Sequence, residues 1–230
     1  MKKIAEHIWI SEKDFSLMGA DLGNRMTVIE LNDNKLVLHS PHAYDQKTQE
    51  LLDKIGTVQY IITPNRFHGL FANDWMTQYP SAEHYAVSEV RETFNEQPTI
   101  LNDLDFSPWA PQLLMQPMVG MDKLNEYVFF HPLSQTLILT DLCFNIQKPG
   151  SLWSKVFFRM NDSYKKFGPS RIMKSMISNG EQLGNTLRDI LDWDFDRIIL
   201  SHGDIVEIGG KEMLTKAFKT HLNLHTEMES

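Results

Sequence analysis

The chain has 230 residues, 42% of them hydrophobic and 23% charged, which is the composition of a globular protein with a sizeable core. Its 30 Asp and Glu outnumber 22 Lys and Arg, and this net charge of −8 argues against a nucleic-acid partner, because binding phosphates needs excess cations. No apolar stretch reaches the roughly 18 residues of a membrane span, and the N-terminal residues lack a secretory signal. With one cysteine, Cys143, these features predict a cytoplasmic protein of one domain, residues 1–230.

The first part of the chain is dominated by segments with strand character. Ile8–Ile10 is short and β-rich, and the segments Met26–Leu31 and Lys35–His39 flank a polar turn, which predicts a hairpin. Apolar residues at helical spacing predict a helix over Asp45–Lys54. This helix leads through a glycine into the buried strand Val58–Ile62, and the strand–helix–strand order predicts a crossover unit.

The remainder of the chain continues with strands and then becomes helical. Further strands are predicted over Tyr85–Val87, Gln112–Met118, Glu126–Phe130, Thr136–Thr140 and Asp196–Leu200. Further helices are predicted over Leu70–Gln78, Ser151–Tyr164, Ser170–Ser178, Glu181–Asp192 and Lys211–Leu222. Two strand-rich blocks, each followed by helices, predict an α+β fold arranged as a helix–sheet–sheet–helix sandwich.

Two of the predicted strands end abruptly in a residue that can bind a metal ion. The apolar run Leu137–Leu139 leads into Asp141, and the run Ile198–Leu200 leads into His202. A carboxylate at one strand end and an imidazole at another is a common way to build a metal site in proteins with mixed layers. The two strand ends are therefore predicted to meet at one site.

The segments Leu139–Phe144 and Leu200–Asp204 resemble the bridging-Asp and last-His motifs of the metallo-β-lactamase fold superfamily. Two further segments, Arg25–Leu31 with Leu38–Pro41 and Thr63–His68, are similar to an uncharacterised branch of that superfamily. The resemblance covers nearly the whole chain. It implies a four-layer αββα sandwich of two mixed β-sheets flanked by helices, with metal ligands on loops at one edge.

The chain departs from the superfamily at its main motif, His-x-His-x-Asp-His. Aligned on the preceding Thr, Pro64 and Arg66 replace the first two His ligands, and Gly69 replaces the last. His68 falls where the superfamily has Asp, and Met121 stands where the middle motif has its His. A proline, a guanidinium and a thioether do not make a zinc site. The resemblance therefore implies that the first of two metal sites is lost, together with the carboxylate that orients the attacking water.

The remaining candidate metal ligands are His68, Asp141 and His202, with Asn65 as a weak fourth and Arg66 as a neighbour in the same pocket. Two His and one carboxylate suit one Zn or Fe ion. Each residue also has a structural interpretation: His202 bonding a loop carbonyl, Asp141 capping the next turn, and His68 packing at a helix start. Arg66 either replaces the metal charge by pairing with Asp141 or faces solvent.

Two functions remain open at this stage. The favoured one is a metallo-β-lactamase-like protein with a degenerate site and no metal, non-catalytic or of much altered activity. The alternative is a single-metal hydrolase of an ester, amide or phosphoester that uses metal-bound hydroxide. Either would take an unidentified small molecule. A helical insert over about 151–178 is a candidate pocket cover or homodimer surface.

Overall fold

The computed structural model describes residues 1–104 and 106–222. The strands are β1 Lys2–Ala5, β2 Ile8–Lys13, β3 Ser16–Leu17, β4 Ala20–Asp21, β5 Asn24–Glu30, β6 Lys35–His39, β7 Thr57–Thr63, β8 Glu83–Ala86, β9 Thr99–Ile100, β10 Leu114–Pro117, β11 Tyr127–His131, β12 Thr136–Ile138, β13 Phe144–Asn145, β14 Phe167–Gly168 and β15 Arg197–Ile199. The helices are α1 Gln46–Ile55, α2 Ala72–Gln78, α3 Leu152–Met160, α4 Arg171–Lys174, α5 Gly180–Leu191 and α6 Gly210–Ala217. Over these residues, no helix combines the length and apolar character that crossing a membrane requires.

Side-chain caps fix the starts of the longer helices. The Asp45 carboxylate accepts a hydrogen bond from the Thr48 amide at the start of α1. Ser151 caps α3 in the same way, and the Asn179 side chain accepts from two amides at the start of α5. Such caps satisfy N–H groups that have no partner within the helix, so the polar residue before each apolar pattern sets the first turn.

Two mixed sheets contain most of the strands among the described residues. The seven-stranded sheet has the order β1-β2-β5-β6-β7-β8-β9, antiparallel from β1 to β6 and parallel from β6 to β9. The four-stranded sheet has the order β10-β11-β12-β15, and its last pair, β12 with β15, is parallel. The strand–helix–strand crossover predicted from β6 through α1 to β7 is present.

Three apolar clusters show that the molecule has four layers. Residues of both sheets, including Ile62 and Phe129, form one cluster between them. A second cluster joins the outer face of the large sheet to α1 and α2, with Leu52 and Trp75 buried at its centre. The third covers the outer face of the small sheet with α3, α5 and α6. The expected αββα sandwich of two mixed sheets is therefore confirmed.

The helical segment after β13 differs most from the sequence-based prediction. Helix α3 ends at Met160 rather than Tyr164, because the chain turns at Asp162, whose φ of 55° is left-handed. Helix α4 has four residues and stops at Lys174 rather than Ser178. The short hairpin β3–β4 and the antiparallel pair of β13 with β14, which are separated in the chain by α3, were not predicted from the sequence. The hairpin β3–β4 packs against α3, where the Ser154 hydroxyl accepts from the Asp21 amide.

Candidate metal centre

Three loops at one edge of the sandwich bring together the three predicted metal ligands. His68 follows β7, Asp141 follows β12 and His202 follows β15. Their donor atoms all lie within 4.8 Å of one another, and all three residues are buried. His68 Nε2 is 3.1 Å from one oxygen of Asp141, and His202 Nε2 is 3.5 Å from the other. Asp141 therefore lies between two imidazoles.

The outer nitrogen of each imidazole has a partner in the protein. His202 Nδ1 donates to the carbonyl oxygen of Gly23 at 2.7 Å, which leaves its Nε2 as the nitrogen facing Asp141. His68 Nδ1 lies 2.5 Å from the Ser40 hydroxyl, which also accepts a hydrogen bond from Ser201. Partners of this kind fix the ring orientation of metal-binding histidines. The carbonyl bond predicted for His202 and a ligand role are therefore compatible.

Arg25 holds the loop that carries His202. Its guanidinium donates to the carbonyl oxygens of Leu200 and Gly203, which flank His202 in the chain. It also pairs with Glu12, and its side chain is 7% exposed. Gly203 adopts a φ of 88°, and an added Cβ would lie 2.4 Å from the backbone oxygen of Asn145. The loop conformation is thus fixed both by a buried cation and by a position that admits only glycine.

Glu126 holds the loop that carries Asp141. Its carboxylate accepts hydrogen bonds from the amides of Thr140, Asp141 and Leu142 at 2.8 to 3.0 Å. The Asn65 amide nitrogen donates both to Glu126 and to the Asp141 carboxylate, at 3.1 and 2.9 Å. Glu126 is fully buried. These contacts fix both the backbone and the carboxylate of Asp141.

The electrostatics of the cluster follow from burial and from the close opposite charges. Burial lowers the pKa of His68, but the Asp141 and Glu126 carboxylates outweigh it, and the net pKa is raised. Burial raises the pKa of Asp141, yet His68 and His202 together hold it well below its ordinary value. Burial and the nearby Asp141 raise the pKa of Glu126. Without a metal, the cluster is an ion pair that favours a protonated His68.

The residues that replace the missing superfamily ligands are committed to other contacts. The Pro64 carbonyl accepts from the Tyr127 amide, and Met121 is buried in the apolar cluster over the small sheet. An added Cβ on Gly69 would contact the ring of Phe94 at 3.1 Å. Arg66 is exposed and donates to the Lys123 carbonyl, so the solvent-facing alternative holds and the pairing with Asp141 is not formed.

Asn65 supports the cluster without offering it an oxygen atom. Its Oδ1 accepts hydrogen bonds from the amides of Phe67 and His68, and its Nδ2 faces Asp141. The weak fourth ligand predicted from the sequence therefore has another use. Asn65 closes the turn that presents His68 and orients Asp141 at the same time.

The three-residue cluster is the polar floor of a cavity of about 430 Å³. The walls are mainly apolar and include Phe15, Phe144, Phe157 and Met173. Asn24, Asn161, Ser163 and Ser170 add uncharged polar groups, and neither Asn65 nor Arg66 is among the lining residues. A concave apolar pocket with a few convergent polar groups is the usual form of a small-molecule site.

The donor set fits one divalent ion of the zinc or iron type. Two imidazoles and a carboxylate are a common open set for both metals, and a position is left for a further ligand on the cavity side. Within the described parts of the chain, His68, Asp141 and His202 form the one group of three or more His, Cys, Asp or Glu residues whose donor atoms converge. The contacts to Gly23, Ser40 and Asn65 supply the outer hydrogen bonds that metal ligands require.

Several residues that shape the site were not identified from the sequence. Glu126 directly precedes β11, and an acidic residue next to the apolar run Tyr127–Phe130 is a signal that could have marked it. Ser40 has a φ of 56°, a left-handed conformation that a serine in the sequence does not predict. Arg25 reaches carbonyls about 175 residues away in the chain, and no local pattern indicates such a contact.

A family model described as a domain of unknown function, DUF4336, matches residues 5–156. This segment contains His68 and Asp141 but not His202. No curated protein matches the chain.

Solved structures with the same fold include several metallo-β-lactamases. An enzyme from Pontibacter korlensis is 14% identical with a TM-score of 0.64, over 96% of this chain and 98% of its own. The FIM-1 enzyme from Pseudomonas aeruginosa, in its mono-zinc form, is 12% identical with a TM-score of 0.61, over 95% and 94%. The Flv1 flavodiiron core from Synechocystis sp. PCC6803 is 14% identical with a TM-score of 0.62, over 96% of this chain and 60% of its own.

These identities establish the fold alone, whereas the family match covers well over half of the chain. The chain therefore belongs to the DUF4336 family, and its fold is that of the metallo-β-lactamases.

Proposed function

We propose that the protein is a single-metal hydrolase in which His68, Asp141 and His202 hold one Zn or Fe ion. The observation that carries this proposal is the convergence of three buried donors from three separate loops, each held in place by a hydrogen bond from behind. Burying a carboxylate and two imidazoles costs free energy, and a site with outer partners on every ligand is the arrangement that metal binding requires.

The bound metal would act as a Lewis acid that polarises the scissile carbonyl and lowers the pKa of a nearby water. The protein residues have separate tasks. His202 keeps its proton on Nδ1 through the Gly23 carbonyl, so its Nε2 faces the site. Asn65 orients the carboxylate of Asp141, and the aromatic walls exclude bulk water, which strengthens every charge interaction at the cavity floor.

A second candidate function rests on a different observation. Asp141 already pairs with His68 at 3.1 Å and with His202 at 3.5 Å, so the cluster is neutralised by its own residues. In that case the protein would be a non-catalytic binding module with a degenerate site, as the missing superfamily ligands imply. A cytoplasmic location, an unidentified small-molecule ligand and a homodimer stay predictions under both functions.

Metal analysis of the tag-free protein separates the two functions. The wild type is measured by mass spectrometry as purified and after loading with zinc, iron and manganese, beside His68→Ala, Asp141→Ala and His202→Ala. Two control variants, Asp14→Ala and His7→Asn, change the same residue types outside the cluster. His7 has a φ of 59°, which asparagine tolerates.

The hydrolase predicts about one ion per chain in the wild type and in both controls, and loss of the ion in the three cluster variants. Hydrolysis of a chromogenic ester should follow the metal and stop on chelation. A wild type that stays metal-free after loading would refute the hydrolase and leave the binding module.

A further inference from the structure

The cavity above His68, Asp141 and His202 has walls that suit an apolar molecule. Its sides carry Phe15, Leu22, Phe71, Phe157, Phe158 and Met176. Its volume of about 430 Å³ lies in the range of small-molecule sites. An occupant that fills this space must place an apolar body against these rings, because a polar body would lose its hydration without gaining partners.

The apolar lining continues to the protein surface. Leu17, Phe67, Leu70 and Ile172 all line the cavity, and between 41% and 68% of each side chain is exposed. They come from separate parts of the chain: the β3–β4 hairpin, the segment before α2, and α4. Exposed large apolar side chains that gather around one opening are unusual on a globular protein and mark a path for an apolar ligand.

Above its His–Asp–His floor, the described lining of the cavity offers an anionic ligand no cationic side chain. Among the described residues, no Lys or Arg lines it, and Asp141 is the one carboxylate that does. Arg66, the cation closest to His68 in the chain, is exposed and turned toward the Lys123 carbonyl. Proteins recognise phosphate with arginine forks, lysines or clustered amides. The walls above the floor would therefore neutralise none of the charge of a phosphoester, whereas they suit an uncharged molecule.

The polar groups of the described lining are few, and apart from the His–Asp–His floor they carry no charge. Asn24, Asn161 and Ser163 are among them, and their side chains can bond an ester or hydroxyl oxygen. Asn24 is 8% exposed, and within the described residues its Oδ1 has no hydrogen-bond partner. An occupant with a neutral polar head and an apolar body matches this combination of lining residues.

We infer that this cavity binds uncharged carboxylic esters with an apolar acyl or aryl body, the ester group lying at the His–Asp–His floor. The turnover of such an ester rests on the proposed function; its binding does not. In the reaction, water adds to the carbonyl carbon and the bond from that carbon to the alkoxy oxygen breaks. The water's hydroxyl stays on the acyl carbon as carboxylic acid, and its second proton ends on the released alcohol.

Binding can be tested without any metal, using the full chain in buffer with a chelator. The neutral probe N-phenyl-1-naphthylamine reports occupancy by fluorescence. Two competitors with the same eight-carbon tail differ only in the head: methyl nonanoate, kept below its solubility limit, and octyl phosphate, kept below its critical micelle concentration. We expect the ester to displace the probe at about tenfold lower concentration than the phosphate. A tenfold ratio corresponds to about 1.4 kcal/mol, and removing a doubly charged head from water beside Asp141 costs more free energy than that.

Matched variants locate the binding to this cavity. Ile172→Lys places a charge in the wall, whereas Ile208→Lys places it at a residue that is 79% exposed and lines no part of the cavity. Leu17→Lys and Leu133→Lys form a second pair of the same kind, with 47% and 66% exposure. The wall variants should weaken probe and ester binding by about fivefold or more, because apolar contact area is lost, and the other two should not.

The outcomes distinguish the ligand class from the catalytic proposal. No saturable probe binding, equal competition by octyl phosphate, or equal loss in all four variants would overturn the inference, whatever the metal analysis gives. Selective ester binding without metal-dependent turnover would leave the inference standing and refute the hydrolase. With metal present, 4-nitrophenyl octanoate should be cleaved faster than 4-nitrophenyl acetate, and both esters faster than bis(4-nitrophenyl) phosphate. That order would support both the ligand class and the hydrolase.

Discussion

Glu126 is the residue whose replacement tests most directly how the Asp141 loop is held. Each of its neighbours is a donor: three backbone amides and the Asn65 side chain. A carboxylate satisfies all of them, because both of its oxygens accept. Glutamine has the same shape but one oxygen only. In Glu126→Gln the new amide nitrogen must therefore face at least one N–H group. The side-chain orientation that keeps the most hydrogen bonds turns this nitrogen toward the Thr140 amide, which then has no acceptor.

The expected cost can be worked from these contacts. A hydrogen bond to a charged group contributes about 1.5–3 kcal/mol, and a buried donor without a partner costs about 1–3 kcal/mol. The remaining bonds weaken as well, because they now meet a neutral oxygen. We expect the free energy of unfolding to fall by about 4 kcal/mol, since several of these penalties add at one residue. For a chain of this size that corresponds to a fall in Tm of roughly 8–16 °C.

Urea denaturation followed by circular dichroism measures this change, with Glu50→Gln as the control. Glu50 is exposed and bonds only Gln46 among the described side chains, so its replacement should change the unfolding free energy by no more than about 0.5 kcal/mol. If Asp141 is a metal ligand, Glu126→Gln should also weaken metal binding by about 10- to 100-fold. An unfolding free energy within about 0.5 kcal/mol of the wild-type value would refute the argument that the charged acceptor holds the loop.

Three further changes probe the framework of the molecule. Gly203→Ala forces a Cβ to within 2.4 Å of the Asn145 oxygen at a φ of 88°, and should lower Tm by several degrees and release metal; unchanged values of both would contradict this. Asp45→Ala removes the cap of α1 and should cost about 1 kcal/mol in urea denaturation at pH 7. Although burial raises it, hydrogen bonds from Thr48 and Lys13 lower the Asp45 pKa to about 2, so this difference from wild type should shrink as pH falls from 3.8 toward 2. Burial lowers the pKa of His84 and of His131 to about 4, so the unfolded chain protonates first as pH falls below 6.5. These two histidines together should then lower the free energy of unfolding by about 2.5 kcal/mol per pH unit near pH 5, and His39, whose pKa burial lowers to about 3, adds to the fall. A flat profile from pH 6.5 to 5 would contradict it.

Local patterns in the sequence were sufficient for the framework and for the ligands at strand ends. The apolar runs before Asp141 and His202 correspond to β12 and β15, whose parallel pairing brings both residues to one edge. Asp45 and Ser151 were placed at the starts of predicted helices and are the N-caps of α1 and α3. These signals are local, because strand periodicity and capping depend on a few neighbouring residues.

The support of the site could not be predicted in the same way. Glu126 bonds a loop about 15 residues away, and Arg25 bonds carbonyls in the loop of β15, so both depend on how the layers assemble. The sequence left two roles open for Arg66. The turn closed by Asn65 decides between them, because it leaves the Arg66 side chain exposed and next to the Lys123 carbonyl. The early end of α3 depends on a left-handed residue, Asp162, which sequence patterns do not mark.

The parallel pairing of β12 with β15 also limits how the chain can be divided. The segment matched by the family model ends at residue 156, whereas β15 and the covering helices α5 and α6 come later. A polypeptide cut at that point would leave the backbone amides and carbonyls along one side of β12 without partners, and would bare Leu137 to solvent. Such an open, apolar sheet edge is a template for intermolecular strand pairing. Expression of the matched segment alone is therefore expected to yield aggregates rather than a smaller folded unit, and recombinant work on this family should keep the residues that follow it.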